Sequence, residues 1–526
     1  MAAFETCRQL NARASLTPLG TLPDGDPRIW AHTVTDLVAA FLREEGCRRV
    51  VETTGDCLRR DFIEDAVQRL IDAGVQSGEV VICEVQNSIR SVANMLACWL
   101  MGCCVCPLDP STPTAVKALI ERESGARGRV LPSGDVERVV DRDSCANVGL
   151  IRLRRPWRVT GPDLALCIFT SGSSGVPKGV LLSHSNVMSA LRSISGYLNL
   201  RPTDRILGIP PIFFDYGLYQ LLLSMFDGCT LILNPGRHDA LTLMKIIERQ
   251  LPTILPVVPA IASAISRLFG SVDKKCTSVR LITNTGGHLS QAAIDMLYGV
   301  FSMAHIIPMY GLTECKRALY YDIQGNPGRR DSVGGPIPGL AAAVIVEDIR
   351  TNSLRLALTG EVGELYVRGP SVMQGYHREQ SSAAARLLCG AYRDDNWLAT
   401  GDLFCTDEDG LFYFRGRATA LIKQGGYCIY PREVERMVEE HPEIAAASIV
   451  GRQEASGDES AVLFVQLMAG SHKSARKRVA MKLRCTLPRS LMPREIRFVD
   501  DWPTTPNGKI DVRALTLIAF SEEMSR

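Results

Sequence analysis

The stretch Thr170-Ser171-Gly172-Ser173-Ser174-Gly175-Val176-Pro177-Lys178-Gly179 concentrates hydroxyls, glycines and a cation. Glycine lets a backbone approach an anion closely and take positive φ. Thr and Ser hydroxyls donate to phosphate oxygens, and Lys178 adds a charge-assisted partner. A Gly/Ser surface turn has the same composition. An ordinary P-loop needs a Gly-Lys pair followed by Ser or Thr. Here Val176 follows Gly175 and Lys178 precedes Gly179, so a kinase or GTPase loses its main support.

Continued through Val180-Leu181-Leu182-Ser183-His184, this loop resembles the phosphate loop of the adenylate-forming superfamily. That superfamily holds acyl-CoA synthetases, the adenylation domains of nonribosomal peptide synthetases, and luciferases. Further segments resemble its other motifs, in order. Phe213-Phe214-Asp215-Tyr216-Gly217 is similar to the aromatic segment beside the acid pocket, and Thr285-Gly286-Gly287-His288 to the segment against adenine. Tyr310-Gly311-Leu312-Thr313-Glu314 resembles the motif in which Tyr stacks on adenine, Thr meets the α-phosphate and Glu ligates magnesium. Hard Mg²⁺ suits carboxylate and phosphate oxygens. Thr400-Gly401-Asp402 resembles the ribose motif, Arg415-Gly416-Arg417 the end of the large domain, and Pro506-Asn507-Gly508-Lys509 the catalytic-lysine loop. Singly, Asp402 reads equally as a turn residue, Glu314 as a surface charge and Lys509 as a loop-tip lysine. Their joint order over residues 164–511 makes the resemblance specific.

The resemblance implies an AMP-forming acid–thiol ligase using ATP and Mg²⁺. A carboxylate attacks the α-phosphorus and expels pyrophosphate, with Lys509 and Thr313 at the α-phosphate and Lys178 with the loop hydroxyls at the outer phosphates. The small domain then turns near Arg417 and presents Gly426 beside a pantetheine tunnel. The hinge position, usually Asp or Lys, is Thr419 here, and Cys428 stands where a basic residue is common. Few residues follow Lys509 and no carrier domain is among them, so the expected acceptor is CoA or the phosphopantetheine of a separate carrier protein. The basic stretch Lys473, Arg476, Lys477, Arg478, Lys482 and Arg484 would meet a phosphate or an acidic carrier surface, or is a solvated helix face.

Phe214, Asp215, Tyr216, Thr285, Met309 and Arg317 are implied to line the acid pocket. In amino-acid-activating relatives an Asp at the position of Asp215 pairs with the substrate ammonium, and a buried carboxylate needs a partner. Arg317 is a competing partner. A small amino acid therefore ranks slightly above a fatty or aryl acid. A non-catalytic nucleotide-binding relative is the other class, and the presence of Thr313, Glu314, Asp402 and Lys509 weighs against it.

These residues need a scaffold. The chain has 526 residues, more than one ordinary core, and is 46% hydrophobic. Lys plus Arg total 59 against 57 acids, a balance that gives no reason to expect nucleic acid or an anionic membrane. The apolar stretch Met95 to Leu108 falls short of the ~20 residues of a membrane helix, and reads as a buried helix running into a strand. Seventeen scattered cysteines, without a visible signal segment, fit buried thiols in a reducing cytoplasm. Cys103 and Cys106 lack the second pair a zinc site wants. Strand patterns such as 79–84, 164–169 and 253–258 alternate with helical ones such as 90–100, 241–250 and 291–301. Strands dominate 333–415, and composition shifts again after Arg417. The expected fold class is α/β: a large N-terminal AMP-binding domain of layered α/β subdomains (1–417) and a small mobile C-terminal α+β domain (418–526) carrying Lys509.

Overall fold

The computed structural model describes residues 26–43, 46–139, 159–171, 177–236, 239–271, 275–289, 291–348, 353–377, 387–389, 396–424, 427–454, 459–468, 475–505 and 510–521. The N-terminal part is built on three sheets. The first is eight-stranded, in the order Val50–Glu52, Thr230–Leu233, Arg205–Gly208, Ile254–Val257, Leu281–Asn284, His305–Tyr310, Leu319–Tyr320, Gly335–Pro336. Its first six strands run parallel. The second, seven-stranded, centres on Leu164–Ser171, Cys104–Leu108 and Val80–Glu84. The third is antiparallel and joins Ala341–Asp348, Gly363–Arg368, Asn396–Thr406 and Phe412–Arg417.

Parallel strands buried on both faces read as unbroken apolar runs. Cys104–Leu108 (CVCPL) is buried along its whole length. The stretch Met95 to Leu108 is a helix, Ile89–Leu100, running into that strand. Cys103 and Cys106 are fully buried there, and burial pushes the Cys103 thiol well up, which makes it unreactive. One core fills the space between the first two sheets through the helices Val34–Arg43, Ile89–Leu100, His184–Leu198 and Asp215–Asp227, and continues into the third through Leu365, Leu398 and Phe404. The helices Ala240–Gln250, Pro259–Ser271 and Gln291–Val300 cover the other face of the first sheet.

After the 3₁₀ turn Ala418–Ala420, which holds Thr419, the chain builds separate cores. The strands Ile444–Gln453, Glu459–Leu467 and Glu495–Phe498 carry the helices Pro431–Glu439, Ala475–Thr486 and Val512–Ser521. This small α+β unit touches the large one through Arg436, 3.0 Å from Asp331. On Ala475–Thr486, Arg476 pairs with Asp500 and Arg478 with Glu443, as on a solvated face. Among the described residues no helix is long and apolar enough to cross a membrane.

Candidate active site

The expected phosphate loop begins and ends on two paired strands. Leu164–Ser171 and Pro177–Ser183 pair antiparallel, placing Thr170 opposite Lys178 and Ser171 opposite Pro177. Gly172, Ser173, Ser174 and Gly175, and the side chain of Ser171, lie outside the described residues, as do Lys509, Gly426 and the side chains of Lys423 and Cys428. The hairpin feeds directly into His184–Leu198 through a capping box, Ser183 with Asn186. Asn186 Nδ2 also donates to the carbonyls of Pro370 and Val372, both at 2.8 Å. That anchors the segment bringing Gly375–Tyr376 against the hairpin, with Tyr376 opposite Val180.

Tyr376 links the hairpin to the Tyr310–Glu314 turn. Its hydroxyl donates to Glu314 Oε1 at 2.7 Å, and Lys178 Nζ lies 5.3 Å from its ring centroid. The Met373 amide donates to the Glu314 carbonyl at 2.7 Å. Lys178, Tyr376 and Glu314 thus form one patch, and Thr313, half-buried, is adjacent to Glu314 on the turn. Gly311 is required here: a Cβ would stand 1.8 Å from the Lys316 carbonyl oxygen.

The third sheet adds Asp402, buried on Asn396–Thr406. Tyr310 Oη donates to Asp402 Oδ2 at 2.7 Å, and Arg417 Nε lies 3.3 Å from Oδ1. Burial and the Asp402 carboxylate push the Tyr310 phenol well up, so it remains a donor. The Tyr310 ring packs edge-on against Phe404 at 4.9 Å. On the first sheet, buried Thr285 follows the strand Leu281–Asn284, and Gly286 turns the chain at φ +83°. Gly287 is exposed, and His288 lines a cavity of about 610 Å³ with Arg432, Arg436 and Asp331, facing the small domain. Burial and then Arg432 and Arg436 hold its imidazole well below the usual range.

Asp215 opens the helix Asp215–Asp227 and is 5% exposed, with Phe214 before it. Tyr216 donates or accepts at 2.7 Å with Thr283 Oγ1. Arg317 does not take Asp215 as an ion-pair partner; its guanidinium lies 4.8 Å from the Tyr216 ring centroid. Met309 accepts from Tyr197 Oη at 2.9 Å. Of the expected pocket residues, Phe214, Asp215 and Tyr216 lie at the start of one buried helix, Thr285 and Met309 at the C-terminal ends of two paired strands, and Arg317 on the turn beyond Tyr310. Three residues not expected from sequence join the site. Tyr376 arrives by a long-range antiparallel pairing without local signature. Tyr219 was within reach of helical spacing, four residues after Asp215. Lys316, beside Arg317, is fully buried, against the general habit of lysine.

The profile described as AMP-binding enzyme matches residues 63–377, and AMP-binding enzyme C-terminal domain matches 433–509. Bacitracin synthase 1 of Bacillus licheniformis is 27% identical over 450 residues, covering 85% of this chain and 8% of its own length. A long-chain-fatty-acid–CoA ligase of Bacillus subtilis is 30% identical over 356 residues, 67% of this chain and 61% of its own. The chain thus spans less than two thirds of the length of these two relatives. The amide bond synthetase McbA of Marinactinospora thermotolerans shares the fold, with a TM-score of 0.77, 22% identity and coverage of 92% of this chain and 99% of its own.

Proposed function

The chain belongs to the adenylate-forming superfamily of AMP-binding enzymes, and we propose that it activates a carboxylic acid as an acyl-adenylate and passes the acyl group to a pantetheine thiol. The observation that carries this is the convergence of Lys178, Glu314, Tyr310, Asp402 and Arg417 from separate sheets, through Tyr376 and the Tyr310–Asp402 hydrogen bond.

In this reading Tyr310, with Thr285, Gly286, Gly287 and His288, flanks the adenine. Asp402 and Arg417 hold the ribose, Lys178 and the loop hydroxyls the outer phosphates, and Thr313 and Lys509 the α-phosphate. Glu314 suits Mg²⁺, a hard oxygen donor whose carboxylate Tyr376 orients. Bound there, the ion would neutralise phosphate charge. The acid's carboxylate oxygen attacks the α-phosphorus, the bond to pyrophosphate breaks, and acyl-AMP remains. Positioning and electrostatics do most of this work. A thiolate then attacks the acyl carbon and AMP leaves. We assign the boundary between the domains to Arg417, and rotation there would withdraw Lys509. The acceptor is CoA or a separate carrier protein, and the buried free thiols support a reducing compartment.

Asp215 supports an amino acid as substrate, because Arg317 packs on Tyr216 and leaves the carboxylate for an ammonium. Lys316 favours the second reading, a non-amino acid, since its ammonium and Asp215 attract each other electrostatically. Acid-dependent ATP–pyrophosphate exchange across amino, aryl and fatty acids tests the proposal. Exchange with none of them would point to a non-catalytic nucleotide-binding relative. Asp215→Ala should raise KM for an amino acid; an unchanged KM removes the reason for preferring one.

A further inference from the structure

Beyond Glu314 the turn buries charge that the nucleotide chemistry does not use. Lys316 has left-handed backbone, φ +65°, and its side chain is driven inward. Its Nζ lies 5.8 Å from the Tyr219 ring centroid and makes no hydrogen bond among the described residues. Arg317 is 3% exposed, and its Nε also lacks a partner. Nη1 has only a long 3.4 Å contact to the Lys316 carbonyl. The buried Tyr219 hydroxyl is likewise without a partner. It stands one helical turn beyond Asp215, on the same face.

These unpartnered atoms share a chemistry. An ammonium and a guanidinium can only donate, and a phenol donates readily. Both Asp215 and Glu314 attract the Lys316 ammonium, but neither hydrogen-bonds it, and Glu314 already accepts from Tyr376. Donors and charge buried without partners are costly, so such a cluster fits an acceptor-rich anion better than an apolar tail.

We propose that Lys316, Arg317 and Tyr219 form a subsite for a second carboxylate on the substrate, which makes the activated acid a dicarboxylic one. This rests on the acid-activation reading above and narrows its substrate class. The carboxylate accepts from Lys316 Nζ, Arg317 Nε and Tyr219 Oη. Its source follows from Asp215: a plain dicarboxylic acid if Asp215 serves Lys316, an acidic amino acid if Asp215 takes an ammonium.

The test is acyl-hydroxamate formation from ATP with matched acids: succinate against succinamate, glutarate against glutaramate, aspartate against asparagine, glutamate against glutamine. The charged member of a pair should exceed its amide in kcat/KM by at least about tenfold, the margin of a site built to hydrogen-bond its ligand. Preference within the first two pairs or the last two identifies the source. Lys316→Met and Arg317→Met should erase that preference, with AMP affinity measured alongside to confirm folding. Should either variant fail to fold, thermal stabilisation of the wild-type protein by the charged acid, and not its amide, replaces it. Equal activity with charged and neutral members, or better activity with fatty or aryl monocarboxylates, overturns the subsite and leaves acid activation standing. Activity with no acid at all overturns both.

Discussion

The proposed nucleotide side and the proposed acid side of this site are built on opposite principles. Around Glu314 and Asp402 each functional group already has a partner: Tyr376 on Glu314, and on Asp402 Tyr310 from the first sheet and Arg417 from the neighbouring strand of its own. Around Asp215, three buried donors have none among the described residues. The first arrangement fixes groups before ligand arrives, as electrostatic catalysis requires. The second leaves hydrogen-bonding capacity for a ligand to complete, as specificity requires.

Substitutions on the nucleotide side should therefore affect every acid alike. Lys509→Ala should lower adenylation by about 10²–10³-fold, the scale of losing one charge-stabilising group, while sparing thioester formation from supplied acyl-AMP. Equal loss in both half-reactions contradicts the domain-rotation scheme. Tyr376→Phe removes a hydrogen bond to a carboxylate, worth about 1.5–3 kcal/mol, and should lower kcat roughly ten- to a hundredfold for all acids. A change confined to KM for the acid would place Tyr376 on the other side of the comparison.

A milder effect is expected away from both regions. His184 is fully buried, its Nδ1 accepts from the Val34 amide at 3.1 Å, and burial lowers its pKa from 6.5 to about 4. The fold prefers neutral imidazole, so this contribution is present above pH 6.5 and is lost as pH falls through 4. The span is about 3 kcal/mol. Denaturant unfolding at pH 7 and pH 4.5 should show His184→Gln less acid-sensitive than wild type. The smallest effect belongs to Arg436→Met, which removes the partly exposed pair with Asp331. Such pairs contribute about 0–1 kcal/mol, so the two half-reactions should change their ratio only fewfold.

The layered α/β fold was legible because its strands and helices carry strong local signals. CVCPL and the run before it announce a helix entering a buried strand. The phosphate hairpin and the Tyr310–Glu314 turn were legible as motifs, since glycine and hydroxyl spacing is local. Tyr376 was not. It reaches Glu314 through pairing with Val180, almost two hundred residues earlier in the chain, and no periodicity announces that. On charge alone Arg317 is a competing partner for Asp215. The backbone decides otherwise: the left-handed Lys316 turns its own ammonium inward, and Arg317 settles on the Tyr216 ring.

The central claim is that ATP is cleaved at its α-phosphate by a carboxylate. Quantifying nucleotide products with and without acid tests it most directly. With hydroxylamine as acceptor, AMP and pyrophosphate should form in equal amounts, only when an acid is present, and Glu314→Gln should abolish both. ADP and phosphate as products, or AMP released at the same rate without acid, would contradict it.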